Sequence, residues 1–409
     1  MNTPATLSRP SLPRGFRYGS AACGIRKSGR LDLAVLACDT PAAVAALFTT
    51  NRVQAAPVHV SRQHLHSSRG RMRAIVVNSG NANCCTGSEG MAASRSTAHR
   101  LAALLKCHTE EIFVCSTGVI GVPLPVERIT SRLPRIASRL ESSAAAFADA
   151  AHAIMTTDTR PKWAAASCRV AGKRVWIAGC AKGAGMIHPQ MATMLGFLLT
   201  DAAIPPALLQ RALREATAKT FNTITVDGDT STNDTVVIFA SGASGAKITS
   251  SSGRSGAAYD AFAAALEKVC RSLALQIVAD GEGAQRVVEV EVRGAPSDRS
   301  ADQVARTIAH SSLVKTALAG ADPNWGRILA AAGRSGVKFN PDKSRVTLAG
   351  IPVFRRGRPL HFDERAAHNR LLRAHVPILV DLGAGRGSAR VWTCDLTTEY
   401  VHINASYRT

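Results

Sequence analysis

Short apolar runs alternate along the chain with longer stretches rich in Ala and Leu. Residues 31–38, 74–77, 112–115, 174–178, 194–199 and 236–240 are brief runs of Val, Ile, Leu, Ala and Phe bounded by Gly, Ser or Asn. Runs of that length and composition predict short, buried strands. Residues 286–292 read RVVEVEV, the period-two pattern of a strand with one face in solvent. Residues 344–353, 377–381 and 389–394 complete the expected strands. The intervening pattern predicts helices over 88–105, 205–219, 257–279 and 302–318. The second opens on Pro205 and Pro206, where a missing amide hydrogen costs little. The third carries Phe262, Leu266, Val269, Leu273 and Ile277 at helical spacing. The expected class is α/β (α+β) with mixed topology. No repeat of 20–50 residues and no low-complexity linker divides the chain.

Composition narrows the function classes. At 409 residues the chain suits two or three domains of roughly 100–200 residues each. It is 46% hydrophobic but only 5% aromatic, so its core is built mainly from Ala, Val, Leu and Ile. The longest apolar stretch, around 191–209, is broken by Thr200, Asp201 and two prolines, which argues against a membrane span. The first residues, MNTPATLSRPSLPRGF, have no apolar core of a secretory signal. A soluble cytoplasmic protein is expected. The ten cysteines include no C-x-x-C pair, so zinc is not indicated and reduced, mostly buried thiols are expected. The net charge of +21 is compatible with nucleic acid. However, the arginines are dispersed, with no run of five basic residues and no interleaved aromatics to stack bases. A nucleic-acid partner is therefore not favoured.

Three local patterns mimic ligand sites. Residues 377–388, PILVDLGAGRGS, look like a nucleotide-binding strand and glycine loop, yet only 22 residues follow Gly387 and the next segment reads as a strand. Residues 227–234, DGDTSTND, space oxygen ligands like a calcium loop. Thr232 replaces the sixth-position Gly and Ile238 the twelfth-position Glu, so a polar turn with side-chain to backbone hydrogen bonds is expected instead. His64 and His66 stand two apart without a third ligand and are expected on the surface.

Eight longer segments change the picture. They are residues 77–87 (VNSGNANCCTG), 115–121 (CSTGVIG), 154–162 (IMTTDTRPK), 182–201 (KGAGMIHPQMATMLGFLLTD), 221–235 (FNTITVDGDTSTNDT), 277–283 (IVADGEG), 322–328 (DPNWGRI) and 400–409 (YVHINASYRT). In wording and order, from about residue 15 to the end, they resemble the ornithine acetyltransferase (glutamate N-acetyltransferase) family of arginine biosynthesis. Gln190 and Ala184 depart from the family's usual Asn and Ser.

The resemblance implies a fold of two αββα lobes related to N-terminal-nucleophile architecture. It also implies self-cleavage between Ala192 and Thr193, giving an α chain of residues 1–192 and a β chain of 193–409, assembled as an α2β2 heterotetramer. Thr193 becomes the nucleophile. An α-amine with an ordinary pKa near 7.7–8.0 then sits beside its hydroxyl as a base. Small Ala192 leaves the attacked carbonyl accessible. Thr117 and Gly118 are implied as the oxyanion hole, since acyl transfer needs donors aimed at the developing charge. Thr156, Lys182, Thr193, Glu282, Asn404 and Thr409 are implied as substrate contacts. The implied substrates are N-acetyl-L-ornithine and L-glutamate, with acetyl-CoA as a further acetyl donor in some members. No metal or organic cofactor is implied. The alternatives are an N-terminal-nucleophile amidase or aminopeptidase, which releases the acyl group to water, and a basic nucleic-acid-binding protein.

Overall fold

The computed structural model describes residues 12–26, 29–188, 194–249 and 256–406. The larger lobe begins with β1 (Phe16–Ala21), β2 (Leu33–Phe48), α1 (Ala56–Ser67), β3 (Arg71–Asn81), α2 (Gly87–Leu105) and β4 (Ile112–Val119). It continues through α3 (Val126–Ser138), α4 (Ala144–Ala153), β5 (Lys162–Val170), β6 (Lys173–Lys182), β7 (Leu195–Thr200), α5 (Pro206–Lys219), β8 (Thr235–Ala240) and α6 (Ala257–Ala279). Its strands form one sheet in the order β4-β3-β2-β8-β7-β6-β5, with β1 against β2.

The register of β2 explains the layering. It slips between Ala37 and Ala42. Residues before the slip pair with β1 and β3; after it Ala42 and Ala43 still meet β3, and residues 43–48 pair with β8. Such bulges bend a strand and let one sheet fold over on itself. Leu33, Val35 and Ala37 pack outward with Leu101 of α2 and Leu133 of α3. Ala43 and Ala45 pack with Leu209 of α5 and Phe262 of α6. The opposite faces meet in a third cluster, where Leu36 and Phe113 join Val44, Phe197 and Phe239. Helices, half-sheet, half-sheet and helices thus lie in the expected α-β-β-α order.

The second lobe holds β9 (Val287–Ala295), α7 (Asp298–Ala309), α8 (Ser312–Ala319), α9 (Trp325–Gly333), β10 (Arg345–Leu348), β11 (Ile351–Arg355) and β12 (Arg358–Pro359). It ends with α10 (Glu364–Leu371), β13 (His375–Asp381), β14 (Gly387–Cys394) and α11 (Thr398–Ser406). The sheet order is β12-β11-β10-β13-β9-β14. Val288, Val290 and Val292 of β9 bury one face under Val304 and Ile308 of α7. The alternate residues Glu289 and Glu291 pair with Arg390 on the other face, as the RVVEVEV pattern requires.

Several expectations change. The helix expected over 302–318 is two, α7 and α8, because Ser311 interrupts it and its hydroxyl caps α8 by accepting from Val314 N. The strand expected over 344–353 is a hairpin, since Ala349 and Gly350 turn the chain with φ of 51° and 78°. His64 is buried rather than exposed, its Nδ1 2.8 Å from the Ile112 carbonyl. Both histidines lie on α1. The glycines of 377–388 serve packing. A Cβ at Gly387 would sit 2.1 Å from the Ser297 carbonyl carbon, where β14 crosses the β9–α7 connection. The cysteines are free and mostly buried, as expected. Among the described residues no helix is long and apolar enough to cross a membrane, and no cluster of His, Cys, Asp and Glu suits a metal.

Candidate active site

One cleft collects residues far apart in the sequence. Thr117, Gly118, Thr156, Lys182, Glu282 and Asn404 all line it, together with Ala82, Gly185 and residues 231–233. Six of the expected site residues therefore converge. Ala192, Thr193, Thr409 and the departure Gln190 lie outside the described residues.

Thr117 and Gly118 end β4, beside the end of the parallel strand β3. Gly118 has φ +132°, and a Cβ there would lie 2.3 Å from the Gly80 carbonyl carbon. Only glycine fits so close an approach. Thr156 follows α4 and is held from two sides. Its N–H donates to Asp158 Oδ2 at 2.9 Å, and its carbonyl accepts from Arg26 at 3.2 Å.

Lys182 ends β6 and is buried. Burial pushes its ammonium pKa down against the attraction of Asp158, Asp234 and Glu282, and the neighbouring Lys162 pushes it down further. Glu282 follows α6, its N–H bonded to the Ala184 carbonyl at 2.9 Å. The Ala184 departure thus acts through a backbone carbonyl that any residue supplies. A Cβ at Gly185 would meet the Glu282 carboxyl at 2.5 Å, so glycine leaves room for that group. Asn404 reaches in from α11, and its Nδ2 donates to Glu282 Oε2 at 2.7 Å.

Beneath the cleft runs a buried ionic chain that the sequence reading did not single out. Lys162, only 1% exposed, sits between Asp158 and Asp280. Asp158 also accepts from Gly183 N at 2.7 Å. Burial alone raises a carboxyl pKa, but the charges of Lys162 and Lys182 more than offset it and hold Asp158 below its ordinary value. Residues 227–234 form the expected polar turn. Asp227 accepts from Met186 N and Ile187 N at 2.6 and 2.9 Å. Asn233 Nδ2 donates to the carbonyls of Ala82 and Ser116 at 2.7 and 2.8 Å, tying this turn to the ends of β3 and β4. These residues all stand inside the segments quoted for the resemblance. Their detectable signal was charge next to apolar runs destined for burial.

The chain enters β7 at the cleft. Leu195 pairs with Lys182 on one side and Thr235 on the other. Met194 N–H donates to Asp234 Oδ1 at 2.8 Å. The arrangement offers a hydroxyl and a tight glycine turn at one wall, a buried ammonium, and a carboxylate with an amide partner. Opposite charges so placed suit the two ends of a zwitterionic amino acid.

Comparison with known proteins gives the family. The ArgJ family model matches residues 17–409. The arginine biosynthesis bifunctional protein ArgJ of Geobacter sulfurreducens is 49% identical over 97% of this chain and 99% of its own length. That of Thermus thermophilus is 48% identical, with the same two shares. The crystal structure of the ArgJ protein from Bacillus halodurans contains a chain 46% identical, with a TM-score of 0.50. It covers 53% of this chain and 100% of its own length. Matched along nearly its whole length, this chain belongs to the ArgJ family.

Proposed function

We propose that the protein transfers acetyl from N-acetyl-L-ornithine to L-glutamate through an acetyl-Thr193 intermediate, after breaking its own Ala192–Thr193 bond. The observation that carries this reading is the convergence of Thr117, Gly118, Thr156, Lys182, Glu282 and Asn404 on the cleft where the chain enters β7 at Met194.

In the first event the Thr193 hydroxyl attacks the Ala192 carbonyl. The peptide C–N bond breaks, an ester forms, and water releases residues 1–192 as an α chain and 193–409 as a β chain. Curated relatives match this chain along its full length, whereas the solved chain from Bacillus halodurans covers only 53% of it. A half-length chain is what such a cut yields. In the transfer, the freed α-amine takes the hydroxyl proton as the oxygen attacks the acetyl carbonyl. The Thr117 hydroxyl and Gly118 N–H face the oxyanion. Ornithine leaves with the proton, and the glutamate amine then takes the acetyl group from threonine. Lys182 holds the carboxylate of the amino acid and Glu282 its ammonium, with Thr156, Asn404 and Thr409 completing the contacts.

The chemistry runs on the chain's own groups and calls for no metal or organic cofactor. Acetylation of glutamate by acetyl-CoA is a second activity of the same threonine, in keeping with the word bifunctional in the relatives' names. The working assembly is an α2β2 heterotetramer in the cytoplasm.

Intact-mass analysis and N-terminal sequencing of purified protein, paired with an acetylornithine and glutamate assay, test the reading. Two fragments split at 192/193 and transfer to glutamate are expected, with both lost in Thr193→Ala. A fully active single chain overturns the mechanism. Acetylornithine hydrolysis outrunning transfer to glutamate would make the protein an amidase. Assay with glutamate and acetyl-CoA alone decides the second activity.

A further inference from the structure

The wall of the cleft that carries Thr117 and Gly118 is clamped by a side chain from a distant part of the sequence. Asn233 belongs to the turn that leads into β8, lines the cleft and is 6% exposed. Its backbone is held from both sides. Its N–H donates to Ser231 Oγ at 3.1 Å, and its carbonyl accepts from the Thr235 hydroxyl at 3.1 Å. The turn is pinned further where Thr49 N donates to the Asp234 carbonyl at 2.8 Å and Ala55 N to the Thr232 carbonyl at 3.0 Å. From this fixed base the side-chain Nδ2 donates to the carbonyls of Ala82 and Ser116, and Oδ1 accepts from the Thr232 hydroxyl at 2.6 Å. A carbonyl oxygen can only accept, so the amide has one possible orientation and both its hydrogens are engaged.

The two carbonyls bracket the wall. The Ser116 oxygen shares a rigid peptide plane with the Thr117 nitrogen, so holding that oxygen sets the direction in which the chain enters Thr117. Ala82 follows β3, and its N–H donates to the Val119 carbonyl at 2.9 Å. Gly80 and Asn81 lie beside Gly118 and Val119 across the same strand pair. One planar amide therefore fixes the spacing of both strand ends on either side of the Thr117–Gly118 peptide. We propose that Asn233 is a positioning residue for acetyl transfer: its amide aims the Thr117 hydroxyl and the Gly118 N–H at the oxyanion. This rests on the reading of those two groups as oxyanion donors.

The demand for such a clamp comes from the chemistry. Oxyanion donors act only within about 2.7–3.1 Å of the charge that develops, and a displacement of about 1 Å can cost on the order of 100-fold in rate. A glycine with φ +132° does not hold its own direction as a residue confined by a side chain does. The strand pair keeps a second polar link, since Ser116 Oγ donates to Asn78 Oδ1 at 2.7 Å. Loss of the Asn233 amide thus leaves β3 and β4 joined while freeing their ends to shift. The amide itself exchanges no proton. Its contribution is to geometry, made through Ser116 and Ala82.

The test is a double-mutant cycle in the acetylornithine and glutamate assay. Thr117→Ala is read first. An unchanged kcat there removes the oxyanion reading and this proposal with it. With that kcat lowered, Asn233→Ala should lower the kcat of the otherwise unaltered enzyme by about 10-fold or more, each KM staying within about 3-fold. In the Thr117→Ala background the same change should cost less, because one of the groups it aims is already gone. The double variant should retain a kcat more than about 2-fold above the product of the two single losses, whereas independent sites combine to within about that factor. A residue that merely stabilises the turn would lower activity equally in both backgrounds. A smaller loss in kcat, losses that multiply, or an effect confined to KM overturns the assignment and leaves Thr117 in its role. Should Asn233→Ala fail to fold, Asn233→Ser, which keeps one hydroxyl donor, is taken through the same cycle with the same outcomes.

Discussion

Asn404, near the end of the chain, donates its side-chain amide to the Glu282 carboxylate at 2.7 Å. Its helix, α11, contributes no buried residue of its own, so this contact, with Tyr400 beside Asp227, attaches the tail to the cleft. Chain ends are commonly frayed and tolerant of loss. Here the end completes a wall. Hydrogen bonds to charged groups contribute about 1.5–3 kcal/mol, so Asn404→Ala should raise the KM for glutamate and acetylornithine about 10- to 100-fold. Deletion of residues 404–409 should leave a folded protein with still weaker substrate recognition. Unaltered steady-state kinetics in the deletion would remove the tail from the site.

Thr117→Ala should lower kcat by about 10²–10³, the usual contribution of one oxyanion donor, with KM little changed. An effect on KM alone would make Thr117 a binding residue. Gly118 is a poorer probe. Any side chain there collides with Gly80 and Asn81 backbone, so its substitution disturbs the junction of β3 and β4 before it reports on catalysis.

Lys162→Met should destabilise the fold by about 3–5 kcal/mol, because it removes the buried ammonium that bridges Asp158 and Asp280. Equilibrium urea unfolding measures this. A loss below about 1 kcal/mol, the range of a surface pair, would show that the chain of charges is well solvated.

Asp227 gives a pH signature. Burial raises its pKa to about 6, against the pull of the Asp229, Met186 and Ile187 amides. The folded state therefore binds its proton more tightly than the unfolded state does. Its contribution is full below the unfolded value near 3.8 and is lost as pH rises through about 6. A change of on the order of 3 kcal/mol across that window is expected. Asp227→Asn should flatten the fall in stability between pH 4 and 6.5, and an unchanged slope in that variant rules the residue out as its source.

The buried strands and the long helices α2, α5 and α6 were legible because apolar runs and helical spacing survive in the sequence. What was lost was punctuation. Ser311 stops a helix inside an otherwise continuous pattern, and Ala349-Gly350 turns a strand without a Pro or Asn to mark it. The break of β2 between Ala37 and Ala42 separates two apolar halves that read alike, yet it sets the layering of the larger lobe. Thr117 and Lys182 look like ordinary strand ends, and only the resemblance marked them. Asp158 and Asp234 stood in quoted segments but draw their meaning from neighbours such as Lys162 and Met194 that only folding supplies.

The position of β7 and β8 bears on what a cut at 192/193 leaves behind. Both lie inside the larger sheet, between β2 and β6. The downstream piece is thus laced into the middle of the upstream one, not set beside it. Synthesis as one polypeptide delivers the two pieces in equal stoichiometry and lets the inner strands find their places while tethered. Once the tether is gone, that route is closed. Refolding of the processed protein becomes a bimolecular search for the centre of an incomplete sheet, slow and dependent on concentration, whereas uncut Thr193→Ala can retrace its path alone. Processing would convert thermodynamic reversibility into kinetic persistence, and denatured enzyme would have to be replaced by new synthesis.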